Sequence, residues 1–291
     1  MTPRDTALAA FTSIVWGLAF VATRFGLEDF TASQLTAFRF LIAATPIFFI
    51  ARPAVPWRML FAIGATLFAG QFLLLFLAFR HGMPPGLASV TQQTHVFLTV
   101  LLAVLLLGER PSARQVAGMI LAASGLLLVG LTVGADLPAF ALALALSGAL
   151  SWAVGNLLMK RIPGVPMFSL VVWCSLVPPL PMLLLSALWG EESFPSAVAS
   201  ASWISLAGAF YLGAVATSVY AIWGNLLSRY PAAAVVPLAL LSPVTGVLAS
   251  ALIFGERFTY LRYAGMALIL AGLAVIVLWP SQRAPGSAAM K

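Results

Sequence analysis

Apolar residues follow one another along this chain in continuous stretches of about twenty, separated by short segments rich in proline, glycine and charge. About twenty apolar residues in a helix cross the hydrocarbon core of a bilayer, whereas barrel strands would alternate apolar and polar residues over about ten positions. The pattern therefore predicts an all-α polytopic membrane protein. We predict ten transmembrane helices, near residues 7–26, 33–51, 58–80, 86–107, 113–132, 138–160, 167–189, 202–228, 232–254 and 259–279.

The chain contains an internal repeat. A Gly-Glu-Arg triplet at 108–110 precedes an apolar helix, and the same arrangement returns 147 positions later, at 255–257. The glycines of that helix recur at the same distance: Gly118 and Gly125 in the first copy, Gly265 and Gly272 in the second. Each half holds five helices, an odd number, so the second half must enter the membrane from the opposite side. We predict two inverted five-helix repeats, at 1–134 and 135–280, followed by a cytoplasmic tail at 281–291.

Composition supports this assignment and excludes several others. Apolar residues make up 62% of the chain and charged residues 8%, against about 45–50% and about 25% in soluble domains. The net charge of +7 does not indicate nucleic-acid binding, because the basic residues stand singly at helix ends. The single cysteine, Cys174, excludes a disulfide within the chain and a cysteine metal cluster.

Basic residues are distributed unequally between the two predicted faces. Ten lie on the side where the chain begins and four on the opposite side. The positive-inside rule places the richer side in the cytoplasm, and an even number of helices puts both termini there. The first apolar stretch is long enough to span the membrane, so we expect a helix there and not a cleaved signal.

Several short motifs are shared with a known family. They are Trp16-Gly17, the run Ala37-Phe38-Arg39-Phe40-Leu41, Pro243 and the two Gly-Glu-Arg triplets. With these motifs spread over both halves, the chain resembles the EamA-type exporters of the drug/metabolite transporter superfamily, most closely those that export aromatic amino acids. The resemblance implies a transporter of a bacterial inner membrane. One departure is Val96, which stands where the second half has Pro243, so we expect the fourth and ninth helices to bend differently.

Two tryptophans at corresponding positions are candidate substrate contacts. Trp16 and Phe20 share one face of the first helix, and Trp152 and Asn156 have the same spacing in the sixth. An amide at mid-membrane depth needs a partner or water, which makes Asn156 a candidate polar anchor. The alternative for the tryptophans is the aromatic belt at the membrane interface.

The fourth helix carries five polar residues in a row, from Thr91 to His95. Five consecutive positions cover every side of a helix, so this helix must be surrounded by protein or line a wet cavity. Gln92 and His95 are candidates to bind the polar ends of a substrate, and Gln71 is the polar residue of the third helix. The alternative is hydrogen bonding between helices, which for His95 would be a purely structural role.

The eighth and ninth helices add aromatic residues and a proline. Tyr220 and Trp223 lie three positions apart and share a face, with core packing as the alternative to substrate binding. Ser242 precedes Pro243, which we expect to kink the ninth helix and expose carbonyl oxygens to the interior. An apolar cavity with a few polar anchors suits a small amphipathic molecule that carries a ring.

Arg39 is the one strong cation inside a predicted helix. Burying it costs of order 3 kcal/mol, so it should face inward and be paired. It could anchor a substrate carboxylate, but the resemblance implies an arginine here, and we assign it a structural or gating role against backbone carbonyls. All eight carboxylates lie in tails, loops or helix ends. This argues against a proton-driven antiporter of lipophilic cations and leaves proton coupling to His95 or to no residue.

The predicted function is export of small amphipathic metabolites, chiefly aromatic and other hydrophobic amino acids, by alternating access. The alternatives are a facilitator of purines, cofactors or drug-like molecules, a channel, and an intramembrane enzyme. We predict no enzymatic activity, cofactor or metal, because the sequence has no HExxH or GxSxG motif and no carboxylate pair within a helix. The predicted partners are a small-molecule substrate and the lipid bilayer, without nucleic acid, and the chain is expected to act as a monomer.

Overall fold

The computed structural model describes residues 1–108, 110–134, 136–230 and 232–278, so the predicted tail at 281–291 lies outside the described residues. Ten long apolar helices lie in the described ranges: α1 Pro3–Gly26, α2 Ala32–Phe48, α3 Trp57–Arg80, α4 Pro85–Leu107, α5 Ala113–Gly130, α6 Ala139–Met159, α7 Met167–Leu188, α8 Trp203–Arg229, α9 Pro237–Phe254 and α10 Tyr260–Leu278. Two short helices, Phe194–Ser200 and Ala232–Val235, lie before α8 and before α9. In these ranges nine helices are long and apolar enough to cross a membrane by length and composition, and α2 is shorter. The predicted all-α polytopic fold is confirmed.

Local chemistry explains where several helices begin and end. Thr31 and Ser112 start α2 and α5 with capping boxes, each completed by the glutamine three residues further on. The helices α4 and α9 stop at Gly108 and Gly255, whose φ angles are 66° and 67°. Glycine adopts this left-handed conformation without steric cost. The glycine of each Gly-Glu-Arg triplet is therefore a helix stop, used identically in both halves.

The last helices of the two halves, α5 and α10, pack closely through their glycines. A β-carbon at Gly118 would lie 2.7 Å from the carbonyl oxygen of Gly272, and one at Gly125 would lie 2.5 Å from that of Gly265. The earlier glycine of one helix meets the later glycine of the other, so α5 and α10 are antiparallel. Equivalent helices that run in opposite directions are typical of an inverted repeat, and the absence of side chains lets their backbones approach.

The two halves also share irregular segments at equivalent positions. Helix α3 contains π-helical turns at Gly64–Gly70, and α8 contains them at Tyr211–Val215. Helix α4 is interrupted by a turn at residues 92–93, and the first residues of α9 lie in a 3-10 segment, Val236–Leu240. The two π-helical segments begin 147 positions apart. Residues 92–93 likewise lie 147 positions before residues 239–240 of the 3-10 segment. Both helices are therefore interrupted at equivalent places although only α9 has a proline there, and a difference in bend between them stays a prediction.

The interruptions in α4 and α9 have different causes. Pro243 has no N–H to donate to the preceding turn of α9, and that turn is 3-10 helical. In α4, where Val96 takes the place of the proline, the hydroxyl of Thr94 donates to the carbonyl of residue 91 at 2.7 Å. The Nδ1 atom of His95 lies 2.7 Å from the carbonyl oxygen of Gln92. Side-chain donors thus occupy carbonyls that a regular α-helix would use.

A buried arginine holds the segment between the halves against α10. Arg262 is 3% exposed, and its Nη1 and Nη2 atoms donate to the two carboxylate oxygens of Asp136 at 2.6 and 3.0 Å. Its Nε atom donates to the hydroxyl of Thr132 at 2.9 Å, and Nη2 also donates to the Thr132 carbonyl at 3.0 Å. These hydrogen bonds from Arg262 hold the pKa of Asp136 below its usual value of 3.8.

Replacing Asp136 by asparagine is expected to lower the thermal unfolding temperature at neutral pH, because Arg262 loses its carboxylate. A carboxylate whose pKa is lowered by folding stabilises the protein fully above its unfolded pKa, and that contribution is lost as the pH falls through the folded value. The difference between the two proteins should therefore disappear as the pH is lowered below 3.8. Glu28→Gln, at an exposed carboxylate on the same face, is the control. Equal unfolding temperatures for Asp136→Asn and wild type at pH 7 would contradict the prediction.

Candidate functional site

The rings of His95 on α4 and Trp152 on α6 stack face to face. Their centroids are 4.1 Å apart and their planes differ by 4°. The Nδ1 atom of His95 carries the proton in its contact with the carbonyl oxygen of Gln92, because a carbonyl can only accept. The stack leaves one face of each ring for other neighbours. Two predicted site residues from different helices are thus brought together.

Polar groups extend from this stack along α4 and α6. The Nε2 atom of Gln92 donates to the carbonyl of Ala145 on α6 at 2.8 Å, while its Oε1 atom is buried without a hydrogen-bond partner among the described residues. The hydroxyl of Thr99 donates to the His95 carbonyl at 2.6 Å and accepts from Nδ2 of Asn156 at 3.2 Å. We call Gln92, His95, Trp152 and Asn156 the α4–α6 half-site.

A second aromatic group lies where α1, α8 and α9 meet. The ring of Trp16 is 4.9 Å from that of Tyr220 and 5.2 Å from that of Trp223, in tilted and edge-to-face arrangements that favour aromatic pairs. Ser242 on α9 is buried, and a β-carbon at Gly17 would lie 2.5 Å from its carbonyl oxygen. We call Trp16, Tyr220, Trp223 and Ser242 the α1–α8–α9 half-site.

The two half-sites are related by the internal repeat. Ser242 lies 147 positions after His95, and Trp152 lies 136 positions after Trp16. Helix α4 packs on α6 as α9 packs on α1. The repeat therefore supplies a tryptophan and a polar residue from each half, but the polar residue is a histidine in one half and a serine in the other. A site built from both half-sites is chemically asymmetric.

Three further predicted residues belong to neither half-site. Phe20 packs against the main apolar cluster, which draws on helices α1 to α6, α8 and α10. Gln71 is 2% exposed, and its Oε1 atom has no hydrogen-bond partner among the described residues. The carbonyl of Pro243 accepts a hydrogen bond from the Ser89 hydroxyl of α4 at 3.1 Å. This hydrogen bond joins α9 to α4.

Arg39 is buried among aromatic rings. Its Cζ atom lies 3.8 Å from the ring centroid of Phe72 and 4.8 Å from that of Phe40. The rings of Trp152 and Tyr220, one from each half-site, pack against the apolar cluster that contains Phe40, and Phe72 packs against the same cluster. A desolvated cation–π contact is worth about 2 kcal/mol, whereas removing an ion from water costs several kcal/mol. The rings alone therefore do not compensate the buried charge.

Cavities open toward each end of the helices. On the face where the chain begins, a cavity of about 230 Å³ is lined by Arg110 and Lys160, just after the ends of α4 and α6, and by Val96 and Asn156, which come earlier in these helices and lie deeper. On the opposite face, a cavity of about 520 Å³ is lined by residues that include Arg24, Arg80 and Glu256. Asn156 of the α4–α6 half-site lines the first of these cavities.

Glu256 joins the halves at the opposite face. Its carboxylate accepts a hydrogen bond from the backbone N–H of Gly86, at the start of α4, at 3.0 Å. Burial raises its pKa above the usual 4.5, while the Gly86 bond and the charge of Arg24 act in the other direction. The carboxylate of the second Gly-Glu-Arg triplet thus connects the loop after α9 to the start of α4.

Two residues that the sequence analysis did not select belong to this region. Thr99 connects His95 to Asn156, and it lies one helical turn after His95 in the sequence, so extending the polar stripe of α4 would have found it. Phe72 covers the guanidinium of Arg39. It is one of 20 phenylalanines in the chain, and no local pattern distinguishes it from the rest.

Known proteins align with nearly the whole chain. A protein from Salmonella typhimurium strain LT2, named a probable amino-acid metabolite efflux pump, is 40% identical over 95% of this chain and 96% of its own length. A protein from Escherichia coli K12 with the same name is 38% identical over 95% and 96%. A probable terminal-alkyne amino-acid exporter from Streptantibioticus cattleyicolor is 26% identical over 91% and 90%.

The fold and the family agree with these alignments. One protein of known crystal structure superposes with a TM-score of 0.63 over 94% of this chain and 98% of its own, at 21% identity, which supports the fold alone. The model of the EamA-like transporter family matches residues 6–131 and again residues 139–278. Two consecutive matches account for the internal repeat. The chain belongs to the EamA-like transporter family.

Proposed function

We propose that this protein exports aromatic and other hydrophobic amino acids, or metabolites derived from them, across a bacterial inner membrane. The observation that carries the proposal is the pair of half-sites, each built around a tryptophan from a different half of the inverted repeat, with buried amide oxygens of Gln71 and Gln92 that lack partners among the described residues. A ring would pack on the tryptophans and polar ends would bond the amides. The relatives at 40% and 38% identity are named probable amino-acid metabolite efflux pumps, which supports amino-acid metabolites as the general substrate class.

Transport would proceed by alternating access. Rocking of the halves about the central site exposes it first to one cavity and then to the other. With both termini in the cytoplasm, as the distribution of basic residues favours, the cavity beside Arg110 and Lys160 faces the cytoplasm. Its positive charges would raise the local concentration of carboxylate-bearing substrates at the loading side. We propose that one chain is sufficient for transport. We also propose that it acts as a transporter and not as an enzyme.

Labelled phenylalanine loaded into proteoliposomes is expected to leave faster than from protein-free liposomes, because the site is built for a ring with polar ends. Efflux is measured with and without a pH gradient, in the wild type and in His95→Gln. Acceleration by the gradient that disappears in His95→Gln assigns proton coupling to His95, and equal rates in both conditions assign a facilitator. Retention of phenylalanine while a purine or a drug-like compound leaves would contradict the amino-acid assignment.

A further inference from the structure

The side chain of Arg39 is a buried cation with no anion and no hydrogen-bond acceptor in the part of the chain that the structure describes. It is 5% exposed, and its Nε atom is among the buried polar atoms without an acceptor there. Among the described residues, the structure gives it ring contacts with Phe40 and Phe72 but no ion pair and no bond to a backbone carbonyl. A role limited to holding backbone carbonyls therefore has no contact to support it.

The surroundings of Arg39 favour an anion. The rings of Phe40 and Phe72 exclude water from the guanidinium without neutralising it, and their attraction is weaker than the cost of burying the charge. Tyr220 packs against the apolar cluster that contains Phe40, but a phenol is neutral at physiological pH and supplies no compensating charge. A carboxylate that accepts two parallel N–H bonds from the guanidinium would supply the missing compensation.

The position of Arg39 connects it to the proposed substrate site. Trp152 of one half-site and Tyr220 of the other both pack against the apolar cluster that contains Phe40, and so does Phe72. Gln71, the residue before Phe72, and Gln92 each have a buried Oε1 atom that lacks a donor among the described residues. The region thus holds an unused donor and unused acceptors. A zwitterion offers the complementary pair, a carboxylate that accepts and an ammonium group that donates.

We propose that Arg39 binds the carboxylate of the transported molecule, and that the substrates are therefore molecules with a free carboxylate beside an apolar or aromatic side chain. This inference rests on the proposed function and narrows its substrate class. Binding then requires the carboxylate of the substrate, whereas an aromatic ring only strengthens it, because an unpaired buried cation costs more free energy than a lost ring contact. Amines and amides of the same shape are excluded.

Three ligands separate the carboxylate from the rest of the molecule: phenylalanine, 3-phenylpropionate, which lacks the ammonium group, and phenylalaninamide, which lacks the carboxylate. The unfolding temperature of the wild-type protein in detergent is measured with each. Phenylalanine and 3-phenylpropionate are expected to raise it, and phenylalaninamide to require at least about tenfold higher concentration for the same rise. Equal effects of all three, or no effect of either carboxylate, would overturn the proposal.

Substitutions of Arg39 test the same point in transport. Arg39→Gln is expected to raise KM for phenylalanine at least about tenfold. In the wild type, unlabelled phenylalanine should inhibit the transport of labelled phenylalanine better than phenylalaninamide does, and Arg39→Gln should abolish this difference. Arg39→Lys keeps the charge without the planar fork and should give an intermediate KM. A structural arginine would instead affect both competitors equally. Arg52→Gln is the matched control, because the Cζ atom of Arg52 also lies over a ring, 4.5 Å from the centroid of Trp57, at an exposed position.

The measurements distinguish this proposal from the proposed function. Carboxylate-selective stabilisation of the wild type that is lost in Arg39→Gln supports the binding role of Arg39 even where phenylalanine is not transported. Transport of phenylalanine that phenylalaninamide inhibits equally well retains the exporter and refutes the role of Arg39. Where Arg39→Gln does not fold, the ligand series on the wild type decides.

Discussion

Replacing Gly125 by leucine is expected to destabilise the protein by about 3 kcal/mol or more. A β-carbon at this position would lie 2.5 Å from the carbonyl oxygen of Gly265 and 2.8 Å from the backbone nitrogen of Ile269. Both are backbone atoms of α10, so a clash cannot be relieved by rotating a side chain. The whole of α10 would have to move away from α5, along a contact that joins the two halves of the transporter.

Thermal unfolding in detergent micelles measures this effect. Gly130→Leu is the matched control, because it introduces the same side chain into the same helix at a glycine with no atom within 4 Å of its added β-carbon. Gly265→Leu should be as damaging as Gly125→Leu, since a β-carbon there would lie 2.7 Å from the carbonyl oxygen of Gly125. An unfolding temperature for Gly125→Leu that matches Gly130→Leu would show that α5 and α10 do not pack as described.

Replacing Trp152 by leucine is expected to raise KM for phenylalanine by up to about tenfold, because an aromatic contact is worth about 0.5–1.5 kcal/mol beyond its area. The indole also holds the ring of His95 by face-to-face stacking at 4.1 Å. Its loss frees the imidazole to reorient within the site. Trp152→Phe keeps a smaller ring and should fall between leucine and the wild type.

Initial rates of phenylalanine efflux over a range of internal concentrations provide the test. Trp203→Leu is the control, because Trp203 is 77% exposed at the start of α8 and lies outside both half-sites. Reconstituted protein is quantified for each variant so that a smaller transporter population is not mistaken for weaker binding. An unchanged KM in Trp152→Leu would remove this side chain from the substrate site, whatever happens to the maximal rate.

The candidate residues named from the sequence were chosen by helical spacing and by polarity at membrane depth. That reasoning correctly grouped residues on one helix, such as Tyr220 and Trp223, because the spacing of side chains around a helix is local geometry. It could not pair residues across helices. The stack of His95 on Trp152 and the bond from Gln92 to the carbonyl of Ala145 join segments about fifty positions apart, and helix packing alone determines them.

The role of Arg39 shows the same limit from the other direction. The sequence correctly indicated that a cation within a membrane helix must be buried in the protein, but it suggested backbone carbonyls as partners. In the described structure two phenylalanine rings take that place, and Phe72 has no sequence signal that marks it. Whether a buried charge is paired depends on every helix around it. Only the packed structure could therefore show that no carboxylate or backbone carbonyl of the described residues contacts the guanidinium of Arg39.

The helices, their approximate ends and the inverted repeat were determined by the sequence alone. In a bilayer each backbone group must be satisfied within its own helix, so the length and apolarity of a segment decide its structure without reference to its neighbours. The tertiary structure decided how α4 is interrupted without a proline, which half-site residues meet, and that two phenylalanine rings cover the guanidinium of Arg39. These features arise from contacts between helices far apart in the chain, where small differences in side-chain shape select one packing among many.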